Sequence, residues 1–186
     1  NDVVKFNHFK LLYSILPKIN FDKYERSKEK YIYRVDDSIS VIYLANDKSD
    51  EQCFAFKTFS KIMGEELIKS VKSEIIITSQ LNHPSIIKYD GFNEENYLFF
   101  NRNPTLLMKF IPKYNLENAI IEKPTGWNNT TKLKVIIGIV SGLIQLFYHN
   151  ISHYNLCTEN ILLNENFDPV ICNFGFLDDK LNEKTI

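Results

Sequence analysis

Polar side chains that could form an active site are concentrated between residues 153 and 173. His153 begins this stretch, and Asn155 and Asn160 follow it closely. Asn173 lies beyond a second apolar segment. A side-chain amide oxygen can bind a hard cation such as Mg²⁺, but it is neutral and does not cancel the charge of the metal. An amide also cannot accept a proton as a general base does. An active site built from these residues would therefore lack negative charge.

The elements that must position these side chains are indicated by the periodicity of the chain. Three segments rich in β-branched and aromatic residues, separated by polar turns, predict antiparallel strands: Tyr31–Val35, Ile39–Ala45 and Phe54–Lys57. From Glu65 to Leu81, apolar residues recur at steps of three and four, which predicts a helix that His83-Pro84 ends. A short amphipathic helix is also predicted before Pro17, although its role cannot be inferred from the sequence.

The second half of the chain alternates short apolar segments with one long one. Further strands are predicted at Ile86–Tyr89, Tyr97–Phe100 and Leu106–Phe110, followed by a connector, Pro112–Asn115. A short helix begins at Leu116, and Asn128–Thr131 caps a long apolar helix that runs to about Asn150. A hairpin is predicted from Ile161–Leu163 and Val170–Cys172. Asn160 directly precedes the first strand of this hairpin, and Asn173 directly follows the second.

The composition predicts a folded domain in a reducing compartment. The 186 residues are 44% hydrophobic and 13% aromatic, which is enough to form a core. The formal net charge of −1 gives no electrostatic reason to expect nucleic acid or an anionic membrane as a partner. Three cysteines without metal-ligand spacing favour reduced thiols and a cytoplasmic location. We expect Cys157 and Cys172 to be inert, buried or half-buried thiols.

The longest apolar run, Val135–Phe147, is shorter than a membrane span and is interrupted by glycine and polar residues. We expect a buried helix here and no membrane partner.

Several motifs resemble those of protein kinase catalytic domains. His153–Leu163 resembles the catalytic loop H-R-D-L-x-x-x-N, and Asn173–Gly175 resembles the metal-binding turn D-F-G. Ala55–Lys57 resembles V-A-I-K, and Leu81–Ile87 is similar to the L-x-H-P-N-I-V segment of the family. The four motifs occur in the family order at family-like intervals. The segment Trp127–Leu133 and the long helix after it look most like the tyrosine-kinase-like group of serine/threonine kinases.

The resemblance implies an α+β, protein kinase-like fold in two lobes. Residues 1–23 would form an N-terminal extension, and 24–111 an N-terminal lobe of antiparallel strands plus one helix. Residues 112–186 would form an incomplete, mainly helical C-terminal lobe. The chain ends eleven residues after Gly175, so the activation segment and the large helices of the family are expected to be missing. The chain would be a fragment of a longer protein or a truncated copy, and the apolar face of the long helix would lack cover.

The resemblance also implies a site for ATP. Lys57 would hold the α- and β-phosphates, and Glu74 would pair with Lys57. The adenine would bond to the Lys109 carbonyl and the Ile111 amide, with Met108 guarding the inner pocket. The side chains that would enclose the purine ring are Ile42, Ala55 and Leu162. Asn160 matches the second metal ligand of the family.

The same comparison shows where the chain departs from the family. Asn155 replaces the aspartate that accepts a proton, Asn173 replaces the magnesium-binding aspartate, and Cys157 replaces a lysine. Tyr154 replaces the arginine that would pair with a phosphorylated activation loop. No glycine occurs in Val35–Ser40, where the family has its glycine-rich loop. We therefore expect weak or no ATP binding and a doubtful role for Mg²⁺.

These departures favour a pseudokinase, a binding or scaffolding module that retains little or no phosphotransferase activity and acts in signalling through a protein partner. The alternative is a divergent ATP-dependent serine/threonine kinase that uses Asn160 and a water molecule in place of the lost groups. A decayed gene product is a third hypothesis. The chain contains 20 asparagines, so compositional drift could explain any one of these amides but explains the whole set less well.

Overall fold

A computed structural model describes residues 14–26, 40–50, 52–59, 65–94, 104–111 and 114–174. The chain forms two compact units. The first contains Asn1–Ser79 and Lys88–Phe110, and the second contains Gln80–Ile87 and Ile111–Ile186. The segment before Lys88 belongs to the second unit because its backbone pairs with a strand there: the Ile87 N–H donates to the Ile171 carbonyl at 2.9 Å.

The first unit is built on a five-stranded sheet in the order β1-β2-β3-β5-β4, with every neighbouring pair antiparallel. Its strands are β1 (Tyr24–Arg26), β2 (Ser40–Asp47), β3 (Cys53–Phe59), β4 (Tyr89–Asn93) and β5 (Thr105–Lys109). Helix α1 (Glu65–Gln80) follows β3. The predicted helix and the strands that correspond to β2, β3 and β5 are confirmed within about two residues. The predicted strands Tyr31–Val35 and Tyr97–Phe100 lie outside the described residues.

The strand predicted at Ile86–Tyr89 is wrong, because β4 begins only at Tyr89. Ile86 and Ile87 are apolar and β-branched as predicted, but their backbone groups pair with Ile171 within the second unit. The strand β4 then runs through Asp90 and Gly91, which have low β-propensity. Tertiary pairing has outweighed local propensity at this strand.

One face of this sheet, the outer face, carries a cluster of buried hydrophobic side chains. Residues that alternate along β2 and β3 share this face with Leu107. The buried side chains of this cluster are Ile19, Val41, Tyr43, Ala45, Phe54, Phe56 and Leu107. The opposite, inner face carries the alternating partners, because Ile42 lies opposite Lys57 and Ala55 lies opposite both Leu44 and Met108.

The segment Pro17–Ile19 extends the sheet along the free edge of β4. The Ile19 N–H donates to the Phe92 carbonyl at 3.0 Å, and the Phe92 N–H donates to the Pro17 carbonyl at 3.0 Å. A Cβ added at Gly91 would lie only 3.0 Å from Ile19 Cγ1 and 3.3 Å from the Pro17 carbonyl oxygen, so a larger residue would force this segment to shift. The residues just before Tyr24 therefore pack on the first unit. The helix predicted before Pro17 falls mainly on residues outside those described.

The second unit combines two helices with a three-stranded sheet in the order β6-β7-β8. The elements are β6 (Tyr114–Asn115), α2 (Leu116–Glu122), α3 (Asn129–Tyr148), β7 (Ile161–Leu163) and β8 (Pro169–Ile171). The predicted helices and hairpin are confirmed, and Leu162 pairs with Val170 across the hairpin. The Asn128 side chain caps α3 by accepting from the Thr131 N–H at 3.0 Å. Part of the predicted connector is strand β6.

Helix α3 packs on the hairpin through one narrow face. A Cβ on Gly142 would meet Ile171 Cδ1 at 2.9 Å, and Val135 and Leu146 are each only 2% exposed. The prediction of a buried helix is wrong for the other face, where Ile137 is 60% and Phe147 is 78% exposed. Among the described residues nothing packs over that face.

Helix α3 is also longer than the apolar run that predicted it, because it begins at the Asn128 cap. By length and composition alone, its 20 residues could cross a membrane, and no other helix within the described ranges could. Core helices of water-soluble proteins meet the same test, and α3 packs on β8 inside the second unit. The expectation of no membrane partner stays a prediction.

Candidate functional site

The candidate site residues of the first unit form a buried ion pair between β3 and α1. The Lys57 Nζ lies 3.0 Å from Glu74 Oε2 and 3.2 Å from Oε1. The two side chains are 8% and 6% exposed. Strand alternation places Lys57 on the inner face of the sheet, and the helical period directs Glu74 toward it. The pairing expected from the sequence is therefore present in the first unit.

A buried tyrosine shares the Glu74 carboxylate. The Tyr89 hydroxyl donates to Glu74 Oε1, and Tyr89 itself is 3% exposed. On the helix, Thr78 Oγ1 donates to the Glu74 carbonyl at 2.8 Å. Sequence reasoning missed Tyr89. The signal was a tyrosine two residues after the apolar pair Ile86 and Ile87, because a buried tyrosine needs a partner for its hydroxyl.

The remaining residues predicted to contact a nucleotide fall in both units. In the first, Ala55 and Met108 are buried and Ile42 is half-buried on the inner face that carries Lys57. Lys109 ends β5 with an exposed side chain. In the second unit, Ile111 and Leu162 are half-buried, and Leu162 lies on β7. Their contacts with a nucleotide stay predictions.

His153 anchors the loop that carries the candidate site residues of the second unit. Its Nε2 bonds to the Cys172 carbonyl at 3.1 Å, and its Nδ1 accepts from the Asn155 N–H at 3.3 Å. These partners require a neutral ring with the proton on Nε2, since a carbonyl can only accept and an N–H can only donate. The ring also packs on Phe174, with centroids 4.7 Å apart. The buried histidine thus fixes the position of Asn155.

Three asparagine side chains are joined in one hydrogen-bond network in the second unit. Asn160 Nδ2 donates to the Asn155 carbonyl at 2.8 Å, and Asn173 Nδ2 donates to Asn160 Oδ1 at 2.8 Å. A longer bond of 3.5 Å runs from Asn155 Nδ2 to the Asn173 carbonyl. The Asn155 carbonyl can only accept, so it orients the Asn160 amide and turns Oδ1 toward Asn173. Asn173 must then present its NH₂ group.

The backbone around this network adopts left-handed geometry at two positions. Asn173 has φ 56°, and Tyr154 has the same value. Asparagine adopts this region more readily than most residues, because its short side chain can bond locally. The exposed Tyr154 has no such advantage, so the conformation there is imposed by the bonds of its neighbours.

The oxygens of this network do not fit Mg²⁺. The ion prefers anionic oxygens in octahedral geometry, whereas these three side chains offer only neutral amide oxygens. Asn160 Oδ1 already accepts a hydrogen bond from Asn173. No group of three histidine, cysteine or acidic side chains suited to a metal occurs in the described part of the chain.

Comparison with known proteins identifies the family. Residues 37–185 match the sequence model of the protein kinase domain. This chain belongs to the protein kinase family. The kinase domain and its antiparallel sheet agree with the α+β fold expected from the motifs. The matched range includes both the Lys57–Glu74 pair and the asparagine network.

Similar proteins are serine/threonine kinases from flies and an amoeba. The kinase domain is 27% identical to serine/threonine-protein kinase PLK4 of Drosophila yakuba over 139 residues, or 73% of this chain and 17% of that protein. It is 30% identical to the probable serine/threonine-protein kinase samkA of Dictyostelium discoideum over 128 residues, or 66% of this chain and 18% of that protein. Myosin light chain kinase A of Dictyostelium discoideum is 29% identical over 143 residues, or 74% of this chain and 46% of that protein.

The chain thus spans less than half of each of these relatives. The narrower resemblance to the tyrosine-kinase-like group stays a prediction.

Cys157 stands where the resemblance to the kinase catalytic loop leads us to expect a lysine. The expectation that it is buried or half-buried is wrong, because Cys157 is exposed on the loop before the turn Thr158–Asn160. Partial desolvation raises the pKa of its thiol, and the neighbouring Glu159 raises it further. The thiol is therefore neutral and a poor nucleophile, as predicted. Cys172 is buried, as predicted, and its Sγ donates to the Asn160 carbonyl at 3.3 Å.

Parts of two regions that we compared with kinase motifs lie outside the described residues. Residues 35–39 of the segment that replaces the glycine-rich loop lie outside the described residues, and Ser40 begins β2. Gly175, which follows Phe174, also lies outside them. Their effects on a nucleotide stay predictions.

Proposed function

We propose that this kinase-family chain is a pseudokinase: a binding or scaffolding module in which phosphotransfer is lost or very weak. The observation that carries the proposal is the bond from Asn173 Nδ2 to Asn160 Oδ1. It places a neutral donor against the oxygen that corresponds to a metal ligand in the family. Metal-assisted charge cancellation, on which phosphoryl transfer depends, then has no anionic ligand in the network.

The substitution at position 155 supports the same conclusion. Asn155 has the shape of an aspartate, and His153 holds its backbone in place. Its side chain cannot accept a proton from a hydroxyl group, so no general base acts from this position. The neutral Cys157 thiol supplies no positive charge for a transferred phosphate.

The ion pair of the first unit supports weak nucleotide binding without a divalent cation. Lys57 remains held by Glu74 on the inner face, where its ammonium group can attract phosphate oxygens. This interaction does not need Mg²⁺. We propose that ATP or ADP binds weakly through Lys57 and that added metal contributes little.

A divergent serine/threonine kinase is the second candidate function. Two observations favour it: the named relatives are serine/threonine kinases, and the Lys57–Glu74 pair is intact. This candidate requires Asn160 and a water molecule to replace both carboxylates.

A cytoplasmic protein partner completes the proposal. The exposed apolar side chains of α3 favour a protein interaction, because contiguous apolar surface is uncommon on monomers. The described cysteines are all free thiols, as expected in a reducing compartment. The near-zero net charge favours neither nucleic acid nor an anionic membrane.

A thermal-shift titration with ADP, in EDTA and in Mg²⁺, tests the nucleotide part of this proposal. We expect a small rise in Tm that is equal in the two buffers and absent in Lys57→Met. Lys48→Met is a matched control, because Lys48 is exposed and bonds to the Asp22 carbonyl, away from the ion pair. A rise that requires Mg²⁺ would contradict the proposal and favour the active kinase. An unchanged rise in Lys57→Met would show that the nucleotide binds elsewhere.

A further inference from the structure

The strand β4 supplies a hydrogen-bond donor to the ion pair of the first unit. Tyr89 is the first residue of β4, and its hydroxyl donates to Glu74 Oε1. Lys57 lies closer to the other carboxylate oxygen, at 3.0 Å, than to Oε1, at 3.2 Å. Oε1 therefore accepts from both Tyr89 and Lys57, whereas Oε2 accepts from Lys57.

Burial makes both donors important. Taken as whole residues, Lys57, Glu74 and Tyr89 are at most 6% exposed, so water does not replace a missing bond. A buried carboxylate that loses one partner retains an uncompensated charge, which is strongly unfavourable. Hydrogen bonds to charged groups are also stronger than those between neutral groups.

We propose that Tyr89 is a positioning residue that keeps Glu74 satisfied while Lys57 shares its ammonium group with an anionic ligand. Lys57 has three N–H donors, and a phosphate oxygen competes with Glu74 for them. As Lys57 turns toward the ligand, the Tyr89 hydroxyl still donates a hydrogen bond that stabilises the charge of the buried Glu74 carboxylate. This role rests on the proposed function, in which Lys57 binds the phosphates of a nucleotide.

Tyr89 is well placed for this role because β4 is held on both edges. On one edge Tyr89 pairs with Met108 of β5. On the other, Phe92 exchanges two backbone hydrogen bonds with the segment Pro17–Ile19, and Asn93 Nδ2 donates to the Ile19 carbonyl at 3.0 Å. A strand fixed in this way presents the hydroxyl at a constant position.

The ligand arm of the test compares Tyr89→Phe with Tyr43→Phe in the full chain. Both variants lose one phenolic hydroxyl from a buried residue of the first unit, but Tyr43 lies on the outer face of the sheet. We expect Tyr89→Phe to weaken ADP binding in EDTA by about tenfold, the equivalent of one hydrogen bond to a charged group. Tyr43→Phe should leave the ADP Kd unchanged. A lower Tm for Tyr89→Phe with an unchanged Kd would mean a merely structural role and would overturn the proposal.

A second arm tests the contact without nucleotide. In a double-mutant cycle with Glu74→Ala, the loss of Tm caused by Tyr89→Phe should disappear, because the hydroxyl has already lost its partner. Additive losses would overturn the role of Tyr89 whatever the nucleotide result. If Glu74→Ala does not fold, Glu74→Gln replaces it, and the loss should shrink rather than disappear. A third outcome is that wild-type protein binds no ADP while the cycle still shows coupling between Tyr89 and Glu74. This would overturn both the nucleotide proposal and the positioning role of Tyr89. The hydrogen bond between Tyr89 and Glu74 would then be a structural contact alone.

Discussion

The orientation of one amide determines what the candidate metal position can offer. Asn160 donates to a backbone carbonyl through Nδ2, so its oxygen is committed to Asn173. The Asn173 NH₂ group supplies the partner that this oxygen needs. A carboxylate at position 173 would instead bring two acceptors together, which only a cation or a proton between them could reconcile.

Asn173→Asp should therefore destabilise the protein in the absence of metal. We expect a loss of about 1–3 kcal/mol in the free energy of unfolding, measured with urea in EDTA. Asn166→Asp is the matched control, since Asn166 is exposed in the hairpin turn and should change stability little. Added Mg²⁺ should reduce the loss in Asn173→Asp only. Equal stability of the two variants in EDTA would contradict the described network.

The stability that a surface ion pair contributes to the second unit should depend on pH. Lys134 Nζ lies 2.6 Å from Asp168 Oδ1, and both side chains are nearly half exposed, 46% and 47%. Hydrogen bonds from Lys134 and then from Asn164 hold the pKa of Asp168 below its usual value. A carboxyl with a lowered folded-state pKa adds stability above its unfolded pKa, and this stability is lost as the pH falls through the folded value.

Asp168→Asn should thus lower Tm slightly at pH 7, and the difference should shrink as the pH falls through the lowered folded-state pKa of Asp168, because the wild-type carboxyl then becomes protonated. Exposure limits the expected difference at pH 7 to less than about 1 kcal/mol. Thermal unfolding of both proteins between pH 7 and pH 2.5 measures this. A difference that grows as the pH falls would show that the ion pair does not stabilise the fold.

At the level of elements, the two faces of α3 differ in burial. Val135 is 2% exposed, whereas the adjacent Ile136 is 56% exposed. The cluster around Val135 includes Ala119, Ile161 and Leu163, which belong to α2 and β7. This packing connects the long helix to the hairpin whose ends carry the asparagine network.

Two alanine substitutions at adjacent positions should separate these faces. Val135→Ala should reduce the free energy of unfolding by about 2 kcal/mol, because it removes buried methyl groups and leaves a cavity. Ile136→Ala should stay within about 0.5 kcal/mol, as expected at an exposed position. Chemical denaturation of both variants provides the comparison. A larger loss for Ile136→Ala would show that the exposed face is packed in solution.

At the scale of the whole molecule, the sequence predicted those elements whose local pattern and tertiary role agree. The helix Glu65–Gln80 followed from helical periodicity, and the strand Cys53–Phe59 followed from its aromatic residues. The start of β4 did not, because Ile86 and Ile87 have the composition of a strand but pair with Ile171 within the second unit. A pairing between distant segments leaves no local signal.

In the candidate site, too, the sequence predicts which residues occur but not how their side chains are oriented. The motifs were enough to predict the Lys57–Glu74 pair and the loss of carboxylates at positions 155 and 173. The bond between Asn160 and Asn173 depends on amide orientation, which no residue pattern specifies. Tyr89 was missed because its role arises only when β4 and α1 are packed together. Family membership is shown, whereas the activity and partners of the whole protein remain proposals.

The rate of phosphate transfer tests the central claim most directly. Purified protein is incubated with ATP labelled at the terminal phosphate, a generic protein substrate and either Mg²⁺ or EDTA, and incorporated label is counted. The absence of carboxylates at positions 155 and 173 predicts no incorporation above that of Lys57→Met in either buffer. Incorporation that requires Mg²⁺, is lost in Lys57→Met and proceeds at about 1 s⁻¹ or faster, as in ordinary kinases, would contradict the account.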